Sequence, residues 1–329
     1  MGFLCKPMKR LLFIFNSKLM LKKFILTFLA FIIIATVSYS FLILTWGFIA
    51  PRKLKNNLNL PDNYGYLEDR LKNAKDVKDV DILFLGPSTT YRGFDTRIFN
   101  KSGYKAFNFG SSSQTPKHTS LILNHYLDSL NPKLVIYDVY PAVFDADGVE
   151  PSLDFIIHND ELTETYPLLW KNFNIKIVNA IIFKGLTNLL SLNIPGNLDR
   201  VLEDTYIEGG FVEKKIKYNK NINQNFTQEW GMRNDQLNEF RKNISILKKR
   251  KVPYLLVRVP LTKTSYQARK NNLYIDSLFS SEGSFINFQN KVKLSDSLDF
   301  LDNVHLNQNG VEKFNLEVIK HLEINNYFN

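Results

Sequence analysis

The 27 residues from Phe24 to Ala50, FILTFLAFIIIATVSYSFLILTWGFIA, carry no charged side chain. Roughly 20 such residues cross the hydrocarbon of a bilayer as a helix. A secretory signal has a shorter apolar stretch of about 7–15 residues and a small-residue cleavage site, and this run has neither. A buried core helix seldom stays apolar on every face for so long. The run is therefore expected to be a transmembrane helix, and it divides the rest of the chain in two.

Charge follows that division. The first 61 residues hold nine of the 42 Lys and Arg and none of the 32 Asp and Glu. The remainder carries 33 basic against 32 acidic side chains, so the net charge of +10 belongs to the membrane flanks. It does not mark a nucleic-acid surface. Six of the nine precede the apolar run and three follow it. The positive-inside rule then puts the N-terminus in the cytoplasm and the bulk of the protein in a periplasm or extracellular space. The expected organisation is a basic cytoplasmic segment (1–23), the transmembrane helix (24–50), a linker (51–75) and a folded domain (76–329). With one cysteine, Cys5, no intramolecular disulfide can form, and the domain must stand on packing.

In that domain short apolar runs alternate with helical patterns. VDILFLG (80–86), YKAFNFG (104–110), KLVIYDVYP (133–141), PYLLVRVP (253–260) and SFINF (284–288) read as strands. SLILNHYLDSL (120–130), NDQLNEFRKNISILKKRK (234–251) and NGVEKFNLEVIKHLE (309–323) read as helices. Such alternation predicts an α/β fold with a parallel sheet. Ligands of such sheets bind beyond the carboxyl ends of the strands. Chemistry is thus expected after Leu85, Phe109, Tyr140 and Val259, and on the loop before the last helix. An insertion at about 142–231 interrupts the pattern. Its stretch 170–190 places Trp170, Phe173, Ile177, Ile181 and Leu189 at near-helical spacing. This predicts a helix packed on the sheet, with a lid or a face dipping into the membrane surface as alternatives.

Three pieces fall at those edges. GPSTTYRGFD (86–95) puts Ser88 just after the first strand, where backbone N–H groups could stabilise an oxyanion. NFGSSSQT (108–115) follows the second strand, with Gly110 permitting close backbone approach. LDNVHLNQNG (301–310) precedes the last helix, with Asp302 three residues before His305. A serine hydroxyl needs a base, and the base needs a group that fixes its tautomer. Asp302 and His305 on one turn could supply both. The plainer readings are a turn serine at Ser88 and an Asp302 that only satisfies backbone amides; Asn307 is the better cap for the last helix. Arg258, at the end of its strand, and Tyr91 and Arg92, just past Ser88, are weaker candidates for binding substrate, against a structural role for each. His118, His125, His158 and His321 have no close metal-ligand spacing. HND (158–160) reads as a solvated loop. No phosphate-loop or dinucleotide motif occurs, so neither metal nor cofactor is expected.

Taken together these pieces resemble the SGNH/GDSL hydrolase superfamily over about residues 78–141 and 232–325. The order of G-x-S, a Gly-containing turn and D-x-x-H-L-N-x-x-G matches, and DNVHLNQNG is the most specific part. The resemblance implies a three-layer α/β/α sandwich with about five parallel strands. It implies Ser88 as nucleophile, Asp302 and His305 as its partners, and an oxyanion site built from the backbone of Ser88, Gly110 and Ser113. Ser113 stands where the family has a second glycine. The family's third block ends G-x-N-D, with Asn as an oxyanion donor, whereas this chain reads DVYPAVF (138–144), so that donor is missing or comes from elsewhere. Membrane anchoring adds a likeness to cell-envelope O-acetylation proteins, which work beside multi-pass acyltransferases. Three functions remain open: an esterase acting on acyl, above all O-acetyl, groups of an extracytoplasmic glycan or lipid; an O-acyltransferase using the same three residues; and an inactive envelope-assembly protein.

Overall fold

The computed structural model describes residues 7–51, 58, 65–194, 203–220 and 227–328, with side chains from residue 17 onward. Cys5 and most of the expected linker lie outside the described residues. The first helix, α1 (Pro7–Ile49), is longer than the apolar run because the Lys-, Leu- and Met-rich residues before it are themselves good helix formers. Next comes α2 (Leu67–Asp76), where the sequence reading had still placed linker. Leu67, Arg70, Leu71 and Ala74 of α2 are buried, so the folded domain begins there.

The chain then runs β1 (Ile82–Leu85), α3 (Ser88–Gly93), α4 (Thr96–Lys101), β2 (Ala106–Asn108), α5 (Pro116–Leu130) and β3 (Leu134–Asp138). The insertion holds α6 (Ala142–Asp145), α7 (Val149–His158), α8 (Leu162–Thr165), α9 (Pro167–Lys171), α10 (Ile175–Leu189) and a hairpin of β4 (Asp204–Tyr206) and β5 (Val212–Lys214). The chain returns as α11 (Asn234–Lys249), β6 (Tyr254–Arg258), α12 (Lys263–Gln267), α13 (Asn272–Glu282), β7 (Phe285–Asn287) and α14 (Gln308–Ile324).

The five expected strands form one parallel sheet in the order β2-β1-β3-β6-β7. Strands buried on both faces read as continuous apolar runs, as ILFL of β1 does. Its residues alternate between two cores. Leu83 and Leu85 join Phe109, Leu127, Tyr137 and Phe240 on one side. Ile82 and Phe84 join Phe94, Phe99, Val311 and Phe314 on the other. Each fully buried Leu or Phe contributes about 1.5–3 kcal/mol relative to exposure. The result is the expected three-layer α/β/α sandwich.

The strand order locates the site. From β1 the chain steps to β2 on one side and then crosses to β3 on the other, so the topological switch lies between β1 and β3. Beyond the carboxyl ends of the strands at such a switch a crevice opens, because successive connections leave in opposite directions. Register pairs Leu85 with Tyr137 there, which sets the Gly86–Ser88 turn beside Asp138.

The 170–190 stretch is not one helix. It breaks at residues 172–174, where Asn172 is buried and Asn174 caps α10 by accepting from Lys176 N–H. Ile177 is buried, while Trp170, Phe173 and Leu189 face outward. The expected apolar stripe is therefore only partly a packing face.

Candidate active site

Gly86 follows β1 at φ 143°, a backbone region that favours glycine. A Cβ there would lie 2.9 Å from Asp138 Cβ and closer still to the Thr90 hydroxyl. Pro87 then precedes α3, and Ser88 is its first residue. The first N–H groups of a helix have no partner within it, and Ser88, half-buried, stands at that position of α3.

The hydroxyl meets its base across 217 positions of sequence. Ser88 Oγ lies 2.8 Å from His305 Nε2. The other ring nitrogen, Nδ1, lies 2.8 Å from Asp302 Oδ2 and 3.1 Å from Oδ1. Asp302 Oδ1 also accepts from the N–H groups of Val304 and His305, both at 2.8 Å. The two readings of Asp302 are thus both true: one carboxylate fixes the turn and holds the imidazole. Burial pushes the Asp302 carboxyl up, but the hydrogen bond and charge of His305 and the two amides outweigh it, and it rests at about 2. With Asp302 ionised, Nδ1 carries the proton and Nε2 is free to accept one from Ser88. Asn307 does cap α14, accepting from Gly310 N–H at 3.2 Å.

A second carboxylate supports the serine turn from below. Asp138, at the end of β3 and buried, accepts hydrogen bonds from the Thr89 hydroxyl and, at 3.1 Å, the Thr90 hydroxyl. Burial raises its carboxyl to about 7, against the Thr89, Thr90 and Val259 hydrogen bonds and the charge of Arg258. The sequence reading passed over Asp138. The signal was an acid closing the otherwise apolar LVIYD strand, at the very edge where Ser88 was expected.

The second block also serves in a way the pattern did not anticipate. Asn108 is buried and donates to the carbonyls of Thr90 and Phe94, both at 2.9 Å. Its Oδ1 takes the Gly110 N–H at 3.1 Å. Gly110 is thus engaged and is not an open oxyanion donor. Its glycine is required for another reason: a Cβ would lie 2.8 Å from Thr90 Cβ and 2.9 Å from Tyr91 N. Ser113 sits half-buried in the following turn at φ 49°, and Ser111 N–H in that turn bonds Gly86 O at 3.1 Å. The block therefore clamps α3 in place.

The three weaker candidates are structural. Tyr91 is fully buried between the guanidinium groups of Arg70 and Arg92, 5.1 and 5.3 Å from its ring. Arg92 is buried and pairs with buried Asp204 of β4 at 2.7 Å. Arg258 is buried and donates to Asp276 at 2.7 Å and Asn272 at 2.6 Å. A buried cation persists when its donors are taken up, as the terminal guanidinium nitrogens of Arg92 and Arg258 are here. His158 is likewise not in a solvated loop but wedged between Asp154 at 3.5 Å and Glu68 at 3.6 Å. No metal-binding cluster of His, Cys, Asp and Glu occurs among the described residues.

Beside Asp302 a cavity of about 620 Å³ opens, bordered by Lys217, Tyr218, Lys220, Leu301 and Asn303. Of the three site residues only Asp302 borders it; Ser88 and His305 do not.

No protein-family model matches the chain, and no curated protein does. Among solved structures it is similar to a GDSL-like lipase from Bacteroides thetaiotaomicron, with 11% identity, 79% of this chain and 98% of that one covered, and a TM-score of 0.40. It is similar to a candidate acylhydrolase from Bacteroides fragilis, with 11% identity, 80% and 99% coverage and a TM-score of 0.40. A third is a candidate platelet activating factor from Streptococcus pneumonia, with 12% identity, 82% and 97% coverage and a TM-score of 0.43.

Proposed function

We propose that this chain is a membrane-anchored, serine-dependent acyl-ester enzyme of the SGNH/GDSL type. The observation that carries the reading is the hydrogen-bonded series Ser88 Oγ, His305 Nε2, His305 Nδ1, Asp302 Oδ2, with both links at 2.8 Å. A serine, a histidine and a carboxylate in that order are what acyl transfer through a covalent intermediate needs.

On this reading the steps are as follows. Ser88 Oγ attacks the ester carbonyl while its proton passes to His305 Nε2. Asp302 stabilises the imidazolium, and the Ser88 N–H lies beside the oxygen that gains charge. The carbon–oxygen bond to the leaving alcohol breaks, and the alcohol takes the proton from His305. An acyl-Ser88 ester remains. A second oxygen nucleophile then gives its proton to His305 and attacks the acyl carbon, and Ser88 leaves with that proton. When the nucleophile is water the product is a free acid. When it is a sugar hydroxyl the product is a new ester.

α1 contains a helix long and apolar enough to cross a membrane. On this reading it spans the bilayer with the N-terminus in the cytoplasm, and Ser88 works outside on O-acyl groups, foremost acetyl, of a glycan or lipid. Transfer to an acceptor is the second reading, since the same three residues would serve it. There a multi-pass acyltransferase in the same membrane would be the natural source of acyl groups.

Full-length protein in detergent should hydrolyse an aryl acetate, and Ser88→Ala should not. Adding an envelope glycan separates the two outcomes: acetyl bound to sugar indicates transfer, and free acetate alone indicates hydrolysis. Aryl acetate turnover undiminished in Ser88→Ala would overturn the reading.

A further inference from the structure

α10 is the element that meets the membrane helix. Tyr39 of α1 donates its hydroxyl to Asn179 at 2.6 Å. Eight residues on, Gly47 leaves room for the Phe183 ring, whose carbons a Cβ would strike. Phe48 packs on the same ring at 5.7 Å between centroids. Ile43, between these two points, is buried.

The two contacts fix the direction of α10. Going outward along α1 from Tyr39 to Phe48, the partner on α10 advances from Asn179 to Phe183. α10 therefore has a component parallel to α1, and its first residue, Ile175, is the end directed back toward the bilayer. The apolar run of 27 residues is about 40 Å long at 1.5 Å per residue, against a hydrocarbon core of about 30 Å. Counted from Lys23, the core ends near Ile43. Trp46, Gly47 and Phe48 then lie at the outer interface, Phe183 lies level with them, and Asn179 lies deeper.

At that inward end Trp170, Phe173 and Ile175 are 70%, 80% and 60% exposed. They are held there rigidly. Asn172 between them is buried, donating to Ser152 at 2.9 Å and accepting from Lys117 at 2.7 Å. Lys117 also donates to the Lys171 carbonyl at 2.7 Å. Lys176 is exposed beside them. Large apolar side chains grouped on a surface mark a binding face. Tryptophan flanked by lysine is the composition of a membrane–water interface.

We infer that the α9–α10 turn is a second membrane contact, with Trp170, Phe173 and Ile175 inserted in the lipid of the outer leaflet, below the level of Trp46. This rests on α1 spanning the bilayer, as proposed above. The domain is then fixed at two points, by α1 and by this turn. Its orientation to the membrane is then set.

Site-directed spin labels in full-length protein test this, in vesicles of phosphatidylethanolamine and phosphatidylglycerol and on a Cys5→Ser background. Phe31→Cys on α1 provides the lipid reference, and Leu273→Cys on α13, 84% exposed, the water reference. Collision with oxygen reports lipid, and collision with a water-soluble nickel chelate reports water. Phe173→Cys is expected to follow Phe31→Cys, with an oxygen-to-nickel ratio several-fold above Leu273→Cys. If Phe31→Cys reads lipid while Phe173→Cys reads water, the inference fails and the span stands. If Phe173→Cys is shielded from both agents, a protein covers the turn and the inference also fails. If Phe31→Cys itself reads water, the span and the inference fail together. Without any label, brominated lipid should quench a tryptophan signal that Trp170→Phe removes; equal quenching in that variant would count against insertion.

Discussion

Two carboxylates stand on opposite sides of the Ser88 turn and are tuned in opposite directions. Asp302 is 57% exposed in the loop before α14, and His305 with two amides holds its carboxyl at about 2. Asp138 is buried at the end of β3, and burial lifts its carboxyl to about 7. The His305 hydrogen bond and charge, with the two amides, keep Asp302 charged against its partial desolvation and ready to stabilise an imidazolium. Burial makes Asp138 a structural acceptor whose hydrogen bonds place Thr89, Thr90 and so Ser88. The same residue type is suited to chemistry in one place and to positioning in the other, and the partners each carboxylate has against desolvation decide which.

The largest effect that separates them is on turnover. Asp302→Asn keeps the shape but removes the charge that holds the His305 tautomer. Ester hydrolysis should fall roughly 10²–10⁴-fold, with only a small drop in melting temperature because Asn Oδ1 can still accept from the Val304 and His305 amides. A melting temperature that collapses with the rate would instead make Asp302 structural.

Asp138→Ala should show the converse balance. Two buried hydroxyls lose their acceptor, at a cost of about 1–3 kcal/mol for each group left unsatisfied. Denaturant unfolding should register a loss of about 2 kcal/mol or more. Turnover should fall through misplacement of Ser88, and Asp138→Asn should recover most of both. Equal damage from Asn and Ala would show that the negative charge of Asp138 matters and not its acceptor atoms.

A smaller effect is in pH dependence. Because the folded-state value of Asp138 lies above its ordinary one, the folded state holds a proton that the unfolded chain has released between about pH 4 and 7. Its contribution is therefore greatest below pH 4 and declines as pH rises through about 7. Unfolding midpoints of wild type and Asp138→Asn should diverge in that window, with wild type losing ground at pH 8. Asp302 has the opposite sign: its contribution is present above about pH 4 and is lost only as pH falls toward 2. Asp302→Asn should therefore leave the difference between pH 4 and pH 8 unaltered.

The smallest effect concerns the second block. Gly110→Ala should slow turnover through steric pressure on Thr90 and Tyr91. Asn108→Asp keeps the acceptor for Gly110 N–H but loses both bonds to the Thr90 and Phe94 carbonyls, so thermal unfolding should drop while the assembled site retains its pH profile.

The contrast also explains what could be read from the sequence. All five strands of the sheet were legible because each is an apolar run between turn residues, and strand order carried Ser88 and the Asp302–His305 turn to one edge. Asp302 and His305 lie three residues apart, so their pairing is local. Partners distant in sequence were not legible. Arg258 is silenced by Asp276 and Asn272 on α13, and Arg92 by Asp204 on the hairpin. A single sequence does not say which acid lies behind which arginine. The hairpin itself had a usable sign, Gly209-Gly210 between two short runs. Gly210 approaches the Asn108 carbonyl too closely for any Cβ. The break in 170–190 was hidden because Asn172, which looks like an ordinary surface residue, is buried by Lys117, Gly148 and Ser152.

The most direct test of the central claim is covalent. Full-length protein treated with a fluorophosphonate should gain one phosphonyl group, and peptide mass mapping should place it on Ser88. The label should vanish in Ser88→Ala and form far more slowly in His305→Ala. A phosphonyl group on a different residue, or labelling of Ser88 at an unchanged rate without His305, would contradict a nucleophile activated by the Asp302–His305 pair.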